Sequence, residues 1–158
     1  MHLSGLWFGS VMLLLGPVGS LVAAATQEDE VETELKKFQG TWVLVEGEVD
    51  GKKIPDEHVK QGKITFAGNK VAVDTLHQSK ETIIATITKL DLMKTPKEMH
   101  WVRTTGQNAG TTMIAIYKFE GDDQYKICFD PSGKGSPKEF ATTEGTGHIW
   151  HTWKRVKP

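Results

Sequence analysis

From Gly40 onward the chain alternates apolar and polar residues with a period of two, and no long stretch there keeps apolar residues at helical spacing. Such alternation sends successive side chains to opposite faces of an extended strand, so it specifies a sheet with one buried face. Thr and other β-branched residues are frequent in the same region and suit a pleated, half-buried surface. Strands are expected at 41–49, 62–67, 70–76, 81–90, 98–105, 111–119, 123–129 and 147–156, with a further short one at 138–142. Turn signals separate them: Asp50-Gly51, Gly68-Asn69, the 106–110 segment, Gly121-Asp122-Asp123 and the 131–137 segment. Only 54–61, opened by Pro55-Asp56-Glu57, reads as a helical turn. About eight strands joined mostly by short loops make an antiparallel meander, because parallel neighbours need long crossovers. The expected fold is therefore mainly β, a single up-and-down barrel preceded by a short helix, with a β-sandwich as the alternative way to cover one apolar face. Ile64, Phe66, Ile83, Ala85, Ile87, Tyr125, Ile127 and Phe129 are the expected core.

The first 25 residues differ in kind. They carry no Lys, Arg, Asp or Glu, run through Leu13-Leu14-Leu15, and end in Ala23-Ala24-Ala25. Small residues at the last and third-last positions suit a signal peptidase, so a signal peptide cleaved before Thr26 is expected, with a secreted or periplasmic (cell-envelope) location. Gly5, Gly9, Gly16, Pro17 and Gly19 break the apolar run short of the roughly 20 residues a spanning helix needs. No stable membrane span is expected after cleavage. Between Thr26 and Gln39, acidic residues precede basic ones, and Val31, Leu35 and Phe38 recur at helical spacing; this order complements a helix dipole. The expected organisation is 1–25 signal peptide, 26–39 helical segment and 40–158 barrel domain. The 19 basic and 20 acidic residues balance to a net charge of −1, which excludes a concentrated positive field for nucleic acid. Cys128 is the one cysteine, so no internal disulfide forms and a buried thiol is expected.

Phe38-Gln39-Gly40-Thr41-Trp42 joins the helix to the first strand, and Lys154-Arg155 closes the last. This arrangement resembles the signature of the lipocalin and fatty-acid-binding-protein superfamily. The resemblance implies that Gly40 and Trp42 open the first strand, and that Arg155 packs across the indole to close one end of a barrel. Over nearly the whole chain after residue 25, the Gln39-Gly40-Thr41-Trp42 segment with Val49-Asp50-Gly51, Ile116-Tyr117, Gly121-Asp122, Cys128-Phe129, Pro137, Phe140 and Lys154-Arg155 resembles a small exported lipocalin-like family expanded in planctomycete bacteria. That family has no established activity. The last strand of this chain, with His148, Trp150, His151 and Trp153, is richer in aromatics and His than the family pattern implies.

The resemblance turns Trp42 inward, and strict alternation then carries Leu44, Glu46 and Glu48 to the same face. With Trp150 these form the candidate ligand cavity. An edge or rim position exposed to water accounts for the same two carboxylates with no site at all, and is the favoured reading. Glu98 and His100 share one face of a strand and Met99, Trp101 and Arg103 the other, but a metal needs more ligands than that pair supplies. His148 and His151 fall on opposite faces, so they form no local metal pair; His148 with Trp150, or His151 with Trp153, is a candidate lining for an aromatic ligand or haem. The Gly133-Lys134-Gly135 turn lacks the spacing of a phosphate loop, and no Gly-x-Ser-x-Gly elbow occurs. No catalytic residue, metal ligand or cofactor is assigned. The expected function is a non-enzymatic binding module for a small apolar or amphipathic ligand. The alternative is a protein-interaction or inhibitory module working through loops 106–110 and 131–137 over a filled barrel.

Overall fold

The computed structural model describes residues 26–74, 82–106 and 108–157. The leader expected at 1–25 lies outside these residues. Helix α1 spans Gln27–Phe38. Thr26 and Asp29 form its capping box, acidic residues fill its first turn, and Lys36 and Lys37 stand in its last. Val31 and Leu35 lean on the core, and Phe38 is fully buried in it.

The strands follow in chain order: β1 Gly40–Val49, β2 Lys52–Lys53, β3 Lys63–Ala67, β4 Lys70–Asp74, β5 Ile83–Asp91, β6 Lys97–Arg103, β7 Thr112–Phe119, β8 Gln124–Phe129 and β9 Ile149–Arg155. A short helix α2, Asp56–Val59, lies between β2 and β3, where the helical turn is expected. Every pairing is antiparallel, from β1–β3 around to β8–β9, and β1 pairs with β9 to close the barrel. The tiny β2 is an additional strand on the end of β1. Closure removes the exposed edges an open sheet would leave.

Two features depart from the expected pattern. The strand expected at 138–142 does not form; that stretch lies in a long connection, 130–148, that crosses the outer wall of the barrel. Its contacts are made there: Cys128 Sγ sits 3.6 Å from the Ala141 carbonyl, Lys118 lies over the Phe140 ring, and Thr142 donates to Glu48. Beneath it runs a cross-strand row on the outer face of the wall, Glu98, Ile116, Cys128, Trp150 and Glu48. The connection thus buries Cys128 and Ile116 outside the barrel core, and burial pushes the Cys128 thiol up to about 11. Second, β1 carries a bulge between Leu44 and Glu46, with a consequence for the site.

The helix end of the barrel is closed by aromatics. Phe38 packs with Phe66, Tyr117, Phe119 and Tyr125 at ring centroid distances of 4.7 to 5.4 Å. Trp42 lies against Tyr125, and its Nε1 donates to the Phe38 carbonyl at 2.7 Å. The Arg155 guanidinium lies 4.0 Å from the indole centroid and donates to the carbonyls of Lys37 and Gln39 at 2.7 Å each. Those carbonyls belong to the end of α1, where a helix leaves acceptors without internal donors, so one side chain caps the helix and covers the plug. Gly40 stands at the start of β1 with a φ of +102°, a conformation that disfavours any side chain.

Candidate functional site

Above the aromatic plug the barrel interior is narrower than a drug-sized binding site. Among the described residues, a cavity of about 50 Å³ is lined by Ile64, Val73, Ile83, Ala85, Trp101, Arg103, Met113, Tyr125, Ile127, Phe129, His151 and Trp153. Ligand sites for drug-sized molecules run to roughly 300–1,000 Å³, whereas one water needs roughly 10–15 Å³. The cavity therefore holds about four water-sized positions. The barrel is mostly filled by its own side chains.

The walls are apolar, and each of the polar groups among them can donate a hydrogen bond. Trp101 Nε1 is a pure donor, the Arg103 guanidinium is a cationic donor, and the Tyr125 hydroxyl and His151 imidazole can both donate. None of the lining residues is acidic. Trp101 is 5 % exposed and Tyr125 fully buried, yet neither Trp101 Nε1 nor Tyr125 Oη has a hydrogen-bond partner among the described residues. A buried polar group without a partner costs roughly 1–3 kcal/mol. Burial also raises the Tyr125 phenol well above its ordinary value, so the hydroxyl keeps its proton. Phe129 and Trp153 hold the His151 ring edge-on, with centroids at 5.9 and 5.5 Å.

The residues expected to form the cavity do not assemble into it. Trp42 and Leu44 face inward but belong to the packed helix end. The bulge after Leu44 inserts one residue and reverses the alternation, so Gly47, not Glu46 or Glu48, faces the interior. A Cβ on Gly47 would lie 2.7 Å from Ile54 Cδ1 and 2.9 Å from His151 Cδ2, which leaves glycine as the residue that fits. Glu46 is exposed, and Glu48 pairs across the wall with Trp150 on the outer face, where it accepts from Thr142. Trp150 is half-buried there with Lys126 Nζ 5.5 Å from its ring. Trp101, Arg103, Tyr125, His151 and Trp153 take the place of these residues at the cavity.

The other singled-out groups are structural. Glu98 accepts from Ser136 at 3.1 Å and pairs with Lys94 at 3.0 Å, and His100 Nε2 lies 3.6 Å away. Burial opposes ionisation of Glu98, but these partners hold its carboxyl below the usual range. Loop 131–137 is fastened to the barrel: Asp130 accepts from the Ser132 and Lys134 amides, and Pro137 is buried. Loop 106–110 is exposed at its described residues. Among the described residues no three His, Cys, Asp or Glu side chains come together as a metal site needs, and no helix is long and apolar enough to cross a membrane.

No protein-family model, curated protein or solved structure matches this chain.

Proposed function

We propose that this protein binds a very small ligand, an apolar body with one hydrogen-bond-accepting head, in the cavity between Trp101 and Trp153. The observation that carries the reading is the pair of unpartnered buried polar atoms, Trp101 Nε1 and Tyr125 Oη, on residues lining an apolar cavity. A filled core would leave such atoms no advantage, whereas an acceptor between them removes their desolvation cost. Two pure donors, Trp101 and Arg103, with no carboxylate in the wall favour a carboxylate or carbonyl head over an ammonium. The cavity volume narrows the expected ligand class from apolar or amphipathic molecules in general to bodies of a few heavy atoms.

Two further parts of the reading stand with it. The lipocalin-like resemblance is supported by the Arg155 stack on Trp42 and by the closed antiparallel barrel, although a fold alone does not fix a ligand. Export rests on the uncharged apolar 1–25 segment ending in Ala23-Ala24-Ala25; N-terminal sequencing of the protein from its native envelope should begin at Thr26, and an intact Met1 would remove this part.

The binding reading is tested by native purification and mass spectrometry of whatever co-elutes, with Tyr125→Phe and Trp101→Phe prepared alongside. A small carboxylate or carbonyl compound recovered from the wild type and depleted from both variants is the expected result. Recovery of nothing, combined with no binding across a panel of short-chain carboxylates and amides, would remove the proposal.

A further inference from the structure

On the outside of the helix end, a groove of about 560 Å³ runs between the last turn of α1, the 92–96 turn and Phe140. Its floor is apolar, formed by Leu92, Phe119 and Phe140, all half-buried. Around it stand Lys37, Lys94, Lys97 and Lys118, with Glu34 as the one acidic residue in the lining. We propose that this groove is a second binding site, for a small amphipathic anion with an aromatic or short aliphatic body.

Charge accounting supports an anion. Glu34 is shared by Lys37 at 2.9 Å and Lys97 at 2.7 Å, so that cluster keeps one positive charge. Glu120 is likewise shared by Lys118 at 3.2 Å and Lys126 at 3.5 Å, and keeps another. Lys94 is balanced by Glu98 at 3.0 Å. The four lysines of the lining and the carboxylates they pair with, Glu34, Glu98 and Glu120, therefore leave one net positive charge at the apolar floor. Lys126, paired to Glu120 beyond the lining, brings a second nearby, on a chain whose overall charge is −1. Lys118 Nζ lies 5.3 Å from the Phe140 ring centroid, which sets a cation directly beside the apolar wall that a ligand body would touch.

Size and shape narrow the occupant. The volume lies within the range of small-molecule sites, and the floor residues are half-buried while Lys37, Lys94 and Lys118 are exposed around them. The groove lies on the barrel exterior at the helix end, and the Trp101 cavity lies in the interior above the plug. The two have no lining residue in common, Tyr117 of the groove and Tyr125 of the cavity meeting only through Phe38, and either can fail without the other.

The test titrates the full chain with anilinonaphthalene sulfonate, followed by fluorescence and by amide resonances. Saturable binding is expected, with resonance shifts at residues 92–97, 118–119 and 140, and with affinity falling as ionic strength rises. Lys94→Gln with Lys118→Gln should weaken binding about tenfold, as loss of two half-exposed charges allows. Uncharged phenylnaphthylamine should bind at least about tenfold more weakly than the sulfonate. Equal binding of the uncharged dye, an unchanged affinity in a folded double variant, or shifts centred on the Trp101 cavity would each overturn the proposal. If the double variant does not fold, the wild-type shift map and the two-dye comparison decide it alone.

Discussion

At the helix end of the barrel the buried polar groups have been given partners; one layer above, two have not. Trp42 Nε1 finds the Phe38 carbonyl, Arg155 finds the carbonyls of Lys37 and Gln39, and Glu34 takes two lysines and the Tyr117 hydroxyl. Trp101 Nε1 and Tyr125 Oη, equally buried, have no partner among the described residues. Buried aromatic side chains pack in both regions, so the presence of buried rings does not separate them. Hydrogen-bond satisfaction does. Where polar groups are matched the side chains act as structure, and where they are left open beside a cavity they are the atoms on which the binding proposal rests.

The largest expected effect is at the plug. Trp42→Ala removes a fully buried indole and the face on which Arg155 rests, and should cost about 3–5 kcal/mol in chemical denaturation. Arg155→Met keeps much of the side-chain volume but leaves the Lys37 and Gln39 carbonyls without their donor, at a cost of about 1–3 kcal/mol. A variant as stable as the wild type would show that the stack does not hold α1 to the barrel.

The next effect is read against pH. Burial works to raise the Glu34 carboxyl, but hydrogen bonds and charge from Lys97 and Lys37 outweigh it and hold the group below its ordinary value. A carboxyl lowered in the folded state contributes its stability above the unfolded-state value and loses it as pH falls through the folded one. Wild-type stability should therefore drop through the acid range more steeply than that of Glu34→Gln, and parallel pH profiles would contradict the assignment. Tyr125→Phe should cost the empty protein no stability and should raise it by up to about 1–3 kcal/mol, because it removes a buried hydroxyl that has no partner. A loss as large as that of Arg155→Met would erase the contrast between the two regions.

Much of this was legible from residue order. Period-two patterning and turn residues located the strands to within a few positions, and the acidic-to-basic order of 27–38 located α1. Met99, Trp101 and Arg103 could be put on one face of β6 by counting, and two of the three line the cavity. What counting missed was β1. One inserted residue after Leu44 turns Glu46 and Glu48 outward, and nothing in Val45-Glu46-Gly47 announces a bulge except the glycine, whose necessity comes from Ile54 and His151 across the wall. The 138–142 segment failed for a related reason. Its alternation serves an outer face that the barrel already had, so it packs on the wall through Phe140 and Ala141 without joining a sheet that is closed.

The indole proton of Trp101 gives the most direct test of the cavity. In an amide correlation spectrum of the wild type, with the signal assigned by Trp101→Phe, titration with propionate should move the Trp101 Nε1–H resonance in a saturable way while that of Trp42, already bonded to the Phe38 carbonyl, stays in place. A Trp101 resonance that stays fixed across short carboxylates and amides would contradict a ligand-binding interior.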